Sequence, residues 1–114
     1  MNGNKRMEAT NELMIGWTTV ASPDEAQTLA SGLIDSHLAA CVQVQGPVTA
    51  YYRWHGVVES GQEYRLTVKF SAARSAELKN WLLRHHPYET PQWLAVAAKD
   101  AADGYAKWIC GESS

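Results

Sequence analysis

The stretch Leu38–Phe70, LAACVQVQGPVTAYYRWHGVVESGQEYRLTVKF, decides the fold of this chain. Apolar and polar residues alternate along both of its halves, and this period-2 pattern is typical of β-strands. The polar run Glu59–Gln62 is expected to form the turn, so the stretch predicts one long β-hairpin. Strands in domains of this size usually have about 5 to 6 residues. Because both arms are longer, we expect a second copy of the chain to cover the aromatic end, which carries Tyr51, Tyr52 and Trp54.

Length and charge limit the classes of protein to consider. The chain has 114 residues and a net charge of −2, which predicts a single domain without the basic surface that nucleic acids require. We assign residues 1–11 to a leader that is disordered or derived from an expression vector, residues 12–111 to the domain and residues 112–114 to a tail. No apolar run approaches the ~20 residues that span a membrane, and no signal peptide is recognisable. We therefore expect a cytoplasmic protein with no membrane partner.

The remaining segments give the order of elements. The patterns predict a strand, a helix capped by Ser22 with Pro23 at its first position, a second helix stopped by Pro87, a fourth strand and a final helix. Their expected ranges are Leu13–Val20, Ser22 to Ser36 or His37, Ser71–His86, Gln92–Ala98 and Asp100–Gly111. With the hairpin, the order is β-α-β-β-α-β plus a terminal helix. This order is typical of an α+β, ferredoxin-like sandwich whose second strand lies at a sheet edge, where Pro47 is tolerated.

The segment His85–Pro91 (HHPYETP) has the most unusual local composition. Two imidazoles, a phenol and a carboxylate within seven residues could bind copper, zinc or nickel. An equally good interpretation is a helix end, because histidine in a last turn interacts favourably with the free carbonyl groups there. The sequence alone leaves both interpretations open.

The sequence gives little evidence of a catalytic site or of a surface that stacks on bases. No serine or cysteine lies in a recognisable nucleophile motif, and the thiols Cys41 and Cys110 lack CxxC spacing. Asp24 and Glu25 fit the first turn of a helix. The aromatic residues of the hairpin could stack on bases, but packing in a core or an interface explains them better. A non-catalytic protein is therefore expected.

Five strings in order resemble the CutA family, the divalent-cation tolerance proteins. They are Leu38-Ala39-Ala40-Cys41-Val42, Tyr51-Tyr52-Arg53-Trp54-His55-Gly56, Lys69, His86-Pro87-Tyr88-Glu89-Thr90-Pro91 and Tyr105-Ala106-Lys107-Trp108-Ile109. The resemblance runs from about Leu13 to Ile109. It implies a ferredoxin-like protomer, a cytoplasmic homotrimer built by pairing of long strands between subunits, and binding of copper or other divalent ions.

The resemblance also suggests metal ligands. In the family, copper ligation is assigned to a cysteine late in the first strand and to two histidines before the HPY proline, which correspond here to His85 and His86. The cysteine position falls at Thr18 or Thr19 in this chain, so a weaker imidazole site for Cu(II) or Zn(II) is expected. Glu89 and Tyr88 are supporting candidates. Two rival hypotheses remain: a small-molecule or nucleotide sensor, because trimers of such protomers resemble the PII signalling proteins, and a purely structural trimer.

Overall fold

The computed structural model describes residues 12–114, so the predicted leader lies outside the described residues. The rest of the chain forms four strands and three α-helices in the order β-α-β-β-α-β-α. The strands are β1 (Leu13–Val20), β2 (Cys41–Trp54), β3 (Val57–Ser71) and β4 (Leu94–Ala97). The helices are α1 (Pro23–Asp35), α2 (Ser75–His85) and α3 (Asp103–Glu112), and a short 3-10 turn, Ala72–Arg74, precedes α2.

The four strands form one antiparallel sheet in the order β2-β3-β1-β4. This order confirms the predicted ferredoxin-like α+β fold and places β2 at an edge. The β2–β3 ladder runs from Cys41 opposite Lys69 to Trp54 opposite Val57, with one register shift between Gln45 and Val48. That irregularity contains Pro47, which has no N–H group to donate to a ladder.

The hairpin turn is not where the sequence analysis put it. Glu59–Gln62 continues the third strand, with Gly61 opposite Ala50, and the chain reverses at His55 and Gly56 instead. Both turn residues have positive φ, 49° for His55 and 80° for Gly56, and a two-residue turn of this kind matches the twist of the flanking strands. The prediction of Glu59–Gln62 was wrong because a polar run in an exposed strand has the same composition as a turn.

Helices α1 and α2 cover one face of the sheet. Their apolar stripes meet the inward side chains of β1 and β3 in a core that includes Val20, Leu29, Leu33, Leu66, Val68, Phe70, Leu78 and Leu82. The Ser22 side chain accepts a hydrogen bond from the Glu25 N–H, which confirms Ser22 as the N-cap. The Glu25 carboxylate accepts from the Ala21 N–H and the Ser22 O–H rather than from the Ser22 N–H that a complete capping box would use.

Helix α3 covers part of the other face. Ala106 and Ile109 pack on Leu13, and the buried Ser113 hydroxyl accepts a hydrogen bond from the Ser71 N–H at 2.9 Å. Ser113 falls in the predicted tail, yet it connects the end of α3 to the end of β3.

Several element boundaries differ from the prediction. Helix α2 begins at Ser75 because Ser71 caps the 3-10 turn through the Ala73 N–H. Strand β4 is short because it pairs only with Met14–Trp17 of β1. Helix α3 begins at Asp103, since its cap residue Ala102 has extended backbone angles.

Candidate functional site

His86 lies where α2 ends, and its ring reaches β1. The residue is the C-cap of α2, with φ −71° and ψ 138°, and only 8% of it is exposed. Its Nε2 atom lies 3.0 Å from Thr18 Oγ1 and 3.0 Å from the Thr19 carbonyl oxygen. Its Nδ1 atom accepts a hydrogen bond from the Tyr88 N–H at 3.1 Å. One imidazole therefore connects β1, α2 and the segment that follows α2.

These contacts define the protonation of His86. Because Nδ1 accepts the Tyr88 N–H, the ring proton lies on Nε2, which donates toward the two threonine oxygens. Burial lowers the pKa of His86 below 6.5, although the hydrogen bond with Thr19 and the charge of Glu25 both raise it. The ring is thus held neutral, and neither nitrogen has a lone pair free for a metal while these bonds persist.

His85 has the opposite environment. It is the last residue of α2 and is exposed. Its ring stacks on Trp81 at 4.1 Å between centroids, and its Nδ1 lies 2.8 Å from the Trp81 carbonyl oxygen. An Nδ1–H that donates to this carbonyl leaves the Nε2 lone pair free. His85 also lines a cavity of about 270 Å³ together with Asp24, Glu25 and Pro87.

The three predicted ligands do not form one site within a protomer. Among residues 12–114, no three side chains of His, Cys, Asp or Glu are grouped closely enough to hold a metal ion. His85 is exposed, His86 is buried beneath the following loop, and Glu89 is exposed at the rim of another cavity. Metal binding by His85, His86 and Glu89 stays a prediction.

The contact between Thr18 and His86 also bears on metal binding. The sequence analysis left Thr18 and Thr19 as the two positions for the family's cysteine ligand, and the ring of His86 touches the Thr18 side chain and the Thr19 backbone. The structure therefore brings both positions to one of the predicted ligands. A hydroxyl there makes a hydrogen bond where a thiolate would be a soft metal ligand.

A larger cavity lies between the hairpin and the loop after α2. It has a volume of about 760 Å³ and is lined by Thr19, Ala50, Tyr51, Tyr52, Arg53, Trp54, Glu63, Tyr88, Glu89, Thr90, Pro91 and Gln92. The Thr19 hydroxyl donates to Glu63 Oε2 at 3.2 Å and so fixes one carboxylate in its wall. On the side formed by the loop after α2, the His86 ring packs edge to face against the Tyr88 ring, with 4.9 Å between the ring centroids.

Nearby carboxylates affect the hydroxyl of Tyr88, which lines this cavity. Burial raises the pKa of the Tyr88 hydroxyl, and the charges of Glu63 and Glu25, followed by Tyr52, raise it further. Among the described residues that line the cavity, Arg53 is the one cation, and its Nη1 donates to the Gly56 carbonyl oxygen at the hairpin turn, 3.3 Å away.

Sequence reasoning missed the carboxylates around this segment. The sequence analysis does not single out Glu63, and it assigns Asp24 and Glu25 only to a helix start. No local signal identifies them, because their relevance depends on how β3 and α1 meet the segment after α2. The signal that did identify this segment was the clustering of His85, His86 and Tyr88 near prolines.

Fold and site together define a class: a two-layer ferredoxin-like protomer with an extended hairpin and a histidine-held loop beside it. The CutA1 divalent ion tolerance protein family matches residues 14–112. This match covers most of the chain, and the chain belongs to that family.

Individual proteins agree with this assignment. The divalent-cation tolerance protein CutA of Yersinia pestis (strain Pestoides F) is 34% identical over 90 residues, which are 77% of this chain and 76% of the relative. The structure of CutA from Synechococcus elongatus PCC7942 has a TM-score of 0.87 at 31% identity, over 92% of this chain and 93% of that one. A CutA structure from Archaeoglobus fulgidus, described as a periplasmic divalent cation tolerance protein, has a TM-score of 0.85 at 26% identity, over 90% and 99% of the two chains.

Over the described residues, no helix has both the length and the apolar character needed to cross a membrane.

Proposed function

We propose that this protein is a non-catalytic, homotrimeric divalent-cation tolerance protein that binds copper or other divalent ions weakly. The observation that carries the proposal is the family match over residues 14–112. Details of the site and of the surface support the two parts that go beyond family membership, which are metal binding and assembly.

His85 is the first metal ligand in this proposal. Its Nε2 lone pair is available, and Asp24 and Glu25 line the same cavity, so carboxylate oxygens are near. His86 and Glu89 complete the predicted ligand set. His86 can bind a metal only after losing the Tyr88 N–H bond or its threonine contacts, and this cost is one reason to expect weak binding.

Assembly is supported by surface that one protomer leaves uncovered. No residue of the edge strand β2 is buried, and Val57 and Val58, at the same end of the hairpin, are 60% and 64% exposed. On the sheet face that α1 and α2 do not cover, Leu94 and Val96 are 51% and 47% exposed beside Trp17 and Ile15. Apolar rows next to an unpaired strand edge favour association with copies of the same chain.

Titration calorimetry of the metal-free protein with Cu(II) and Zn(II) tests the metal site. We expect weak binding that falls about tenfold in His85→Ala, since one imidazole ligand is lost. His37→Asn is the matched control, because His37 is also exposed but lies beyond α1, where its positive φ of 59° suits asparagine. Equal affinities in the wild type and His85→Ala would overturn the assignment.

A gain-of-function variant tests the role of position 18. Thr18→Cys places a sulfur atom beside the His86 ring, so it should raise the affinity for Cu(I), measured by competition with a Cu(I) chelator. Ser31→Cys, on the exposed side of α1 and away from the cavity that His85 lines, controls for adding a thiol. No gain over Ser31→Cys would count against a metal site at His86.

A small-molecule sensor is the second candidate, because the cavity of about 760 Å³ has the size of a ligand pocket.

A cytoplasmic location also stays a proposal, since the Archaeoglobus fulgidus relative is described as periplasmic. Fractionation of cells that express the protein distinguishes the two compartments.

A further inference from the structure

The cavity between the hairpin and the loop after α2 combines aromatic walls with two carboxylates, those of Glu63 and Glu89. Tyr52 and Trp54 come from β2, Tyr88 and Glu89 from the loop, and Glu63 from β3. Of these residues, only Glu89 is one of the three predicted metal ligands. From this lining we propose that the cavity binds a small organic cation, namely an ammonium group that carries an aromatic or aliphatic portion.

The charge of the cavity selects a cation. Glu63 and Glu89 both line it, and Glu63 is held in place by the Thr19 hydroxyl at 3.2 Å. The opposing charge, Arg53, already donates to the Gly56 carbonyl oxygen at the turn. An anionic ligand such as a nucleotide would bring its phosphates next to two carboxylates, and like charges at short distance repel.

The aromatic residues select an organic cation over a metal ion. Faces of tyrosine and tryptophan rings attract ammonium groups within about 6 Å of the ring centroid. Divalent metals need several oxygen, nitrogen or sulfur ligands at once, and among the described residues that line this cavity only Glu63 and Glu89 belong to the types His, Cys, Asp and Glu. Phenol rings and an indole instead provide apolar surface for the rest of an amine.

The site is also anchored at its base. The Tyr88 N–H donates to His86 Nδ1, and the His86 ring packs against the Tyr88 ring. Because His86 is itself bonded to β1 through Thr18 and Thr19, Tyr88 stands at a defined place opposite the hairpin. A pre-positioned ring loses little conformational entropy when a ligand binds.

Titration calorimetry of the intact protein in EDTA, with phenethylamine as the probe, tests this proposal independently of metal binding. 2-Phenylethanol is the neutral probe of the same shape, and 3-phenylpropionate is the anionic one. We expect phenethylamine to bind about tenfold more tightly than 2-phenylethanol, because a hydrogen-bonded charge contributes about that much, and 3-phenylpropionate to give no heat.

Two variants locate the site. Glu63→Gln keeps the size of the side chain and removes its charge, so phenethylamine should bind about tenfold more weakly. Glu59→Gln is the matched control, since Glu59 lies on the same strand but not in the cavity lining. Tyr52→Leu removes an aromatic face from an exposed position and should weaken binding about threefold. If Glu63→Gln does not fold, Tyr52→Leu still decides the question.

Several outcomes would overturn the proposal. Equal affinity for phenethylamine and 2-phenylethanol would show an apolar pocket without charge selection. Binding unchanged in both Glu63→Gln and Tyr52→Leu would place the amine elsewhere. No heat with phenethylamine would show that the assembled protein does not bind an ammonium group in this cavity. Metal titrations would be unaffected by any of these results, so the two proposals fail separately.

Discussion

At the residue scale, the adjacent histidines His85 and His86 lie in different environments. His85 ends α2 and faces solvent, whereas His86 leaves the helix with extended backbone angles and turns its ring toward β1. The sequence indicates that two imidazoles stand before Pro87, which ends the helix. Adjacent residues at a helix end are expected to point in different directions, but the sequence does not specify where the His86 ring lies. Its direction depends on the approach of Thr18 and Thr19 from a strand 68 and 67 residues away, respectively.

The environment of His86 predicts how stability depends on pH. Burial lowers its pKa in the folded state below 6.5, so near and below that pH the unfolded chain binds the proton more readily than the folded one. The contribution of neutral His86 is therefore complete above about pH 6.5 and is lost as the pH falls toward the folded-state pKa.

Urea denaturation in EDTA between about pH 7.5 and about pH 5.5 measures this effect. The free energy of unfolding should fall more steeply with decreasing pH in the wild type than in His86→Gln, which has no group at this position that titrates in this window. His85→Gln is the control, since it removes an exposed imidazole. Parallel pH profiles for the wild type and His86→Gln would contradict the prediction.

At the element scale, the elements with strong periodicity could be predicted from the sequence, and those defined by tertiary contacts could not. Strand β1 and the start of α1 agree with the expected residues because alternation and a capping box are local signals. The hairpin turn was misplaced because His55 and Gly56 form it through positive φ, which composition does not specify for histidine. The end of α3 was missed because Ser113 is fixed by a partner on β3.

The contact between α3 and β3 predicts a stability effect. Ser113→Ala leaves the Ser71 N–H buried without its acceptor, so the free energy of unfolding should fall by about 1 to 3 kcal/mol. Thermal and urea denaturation of this variant measure the loss. Ser114→Ala is the control because Ser114 is exposed and bonds only within its own turn. Equal losses in both variants would contradict a specific role for Ser113.

At the scale of the whole molecule, the protomer is elongated. Its principal extents are 54 × 26 × 22 Å and its radius of gyration is 15.4 Å, against about 13 Å for a compact domain of 100 residues. Within the described part of the chain, the outer half of the hairpin is paired only through its own two strands. Association with other copies of the chain would therefore stabilise the extended hairpin.

The uncovered face of the sheet predicts how assembly can be broken. Val96→Glu puts a charge on the exposed apolar row beside Ile15, so light scattering should show a change from three times the chain mass of 12.6 kDa to a single chain. Gln27→Glu, on the exposed side of α1, adds the same charge as a control. A trimer mass retained by Val96→Glu, or a monomeric wild type, would contradict the proposed interface.

The extended hairpin has a consequence for the amount of assembled protein in a cell. If copies of the chain complete one another's hairpins, folding and association are linked by mass action, and the midpoint of thermal unfolding rises with total protein concentration. The concentration of the chain then sets the fraction of hairpins that are ordered, and the expression level directly controls the amount of assembled protein.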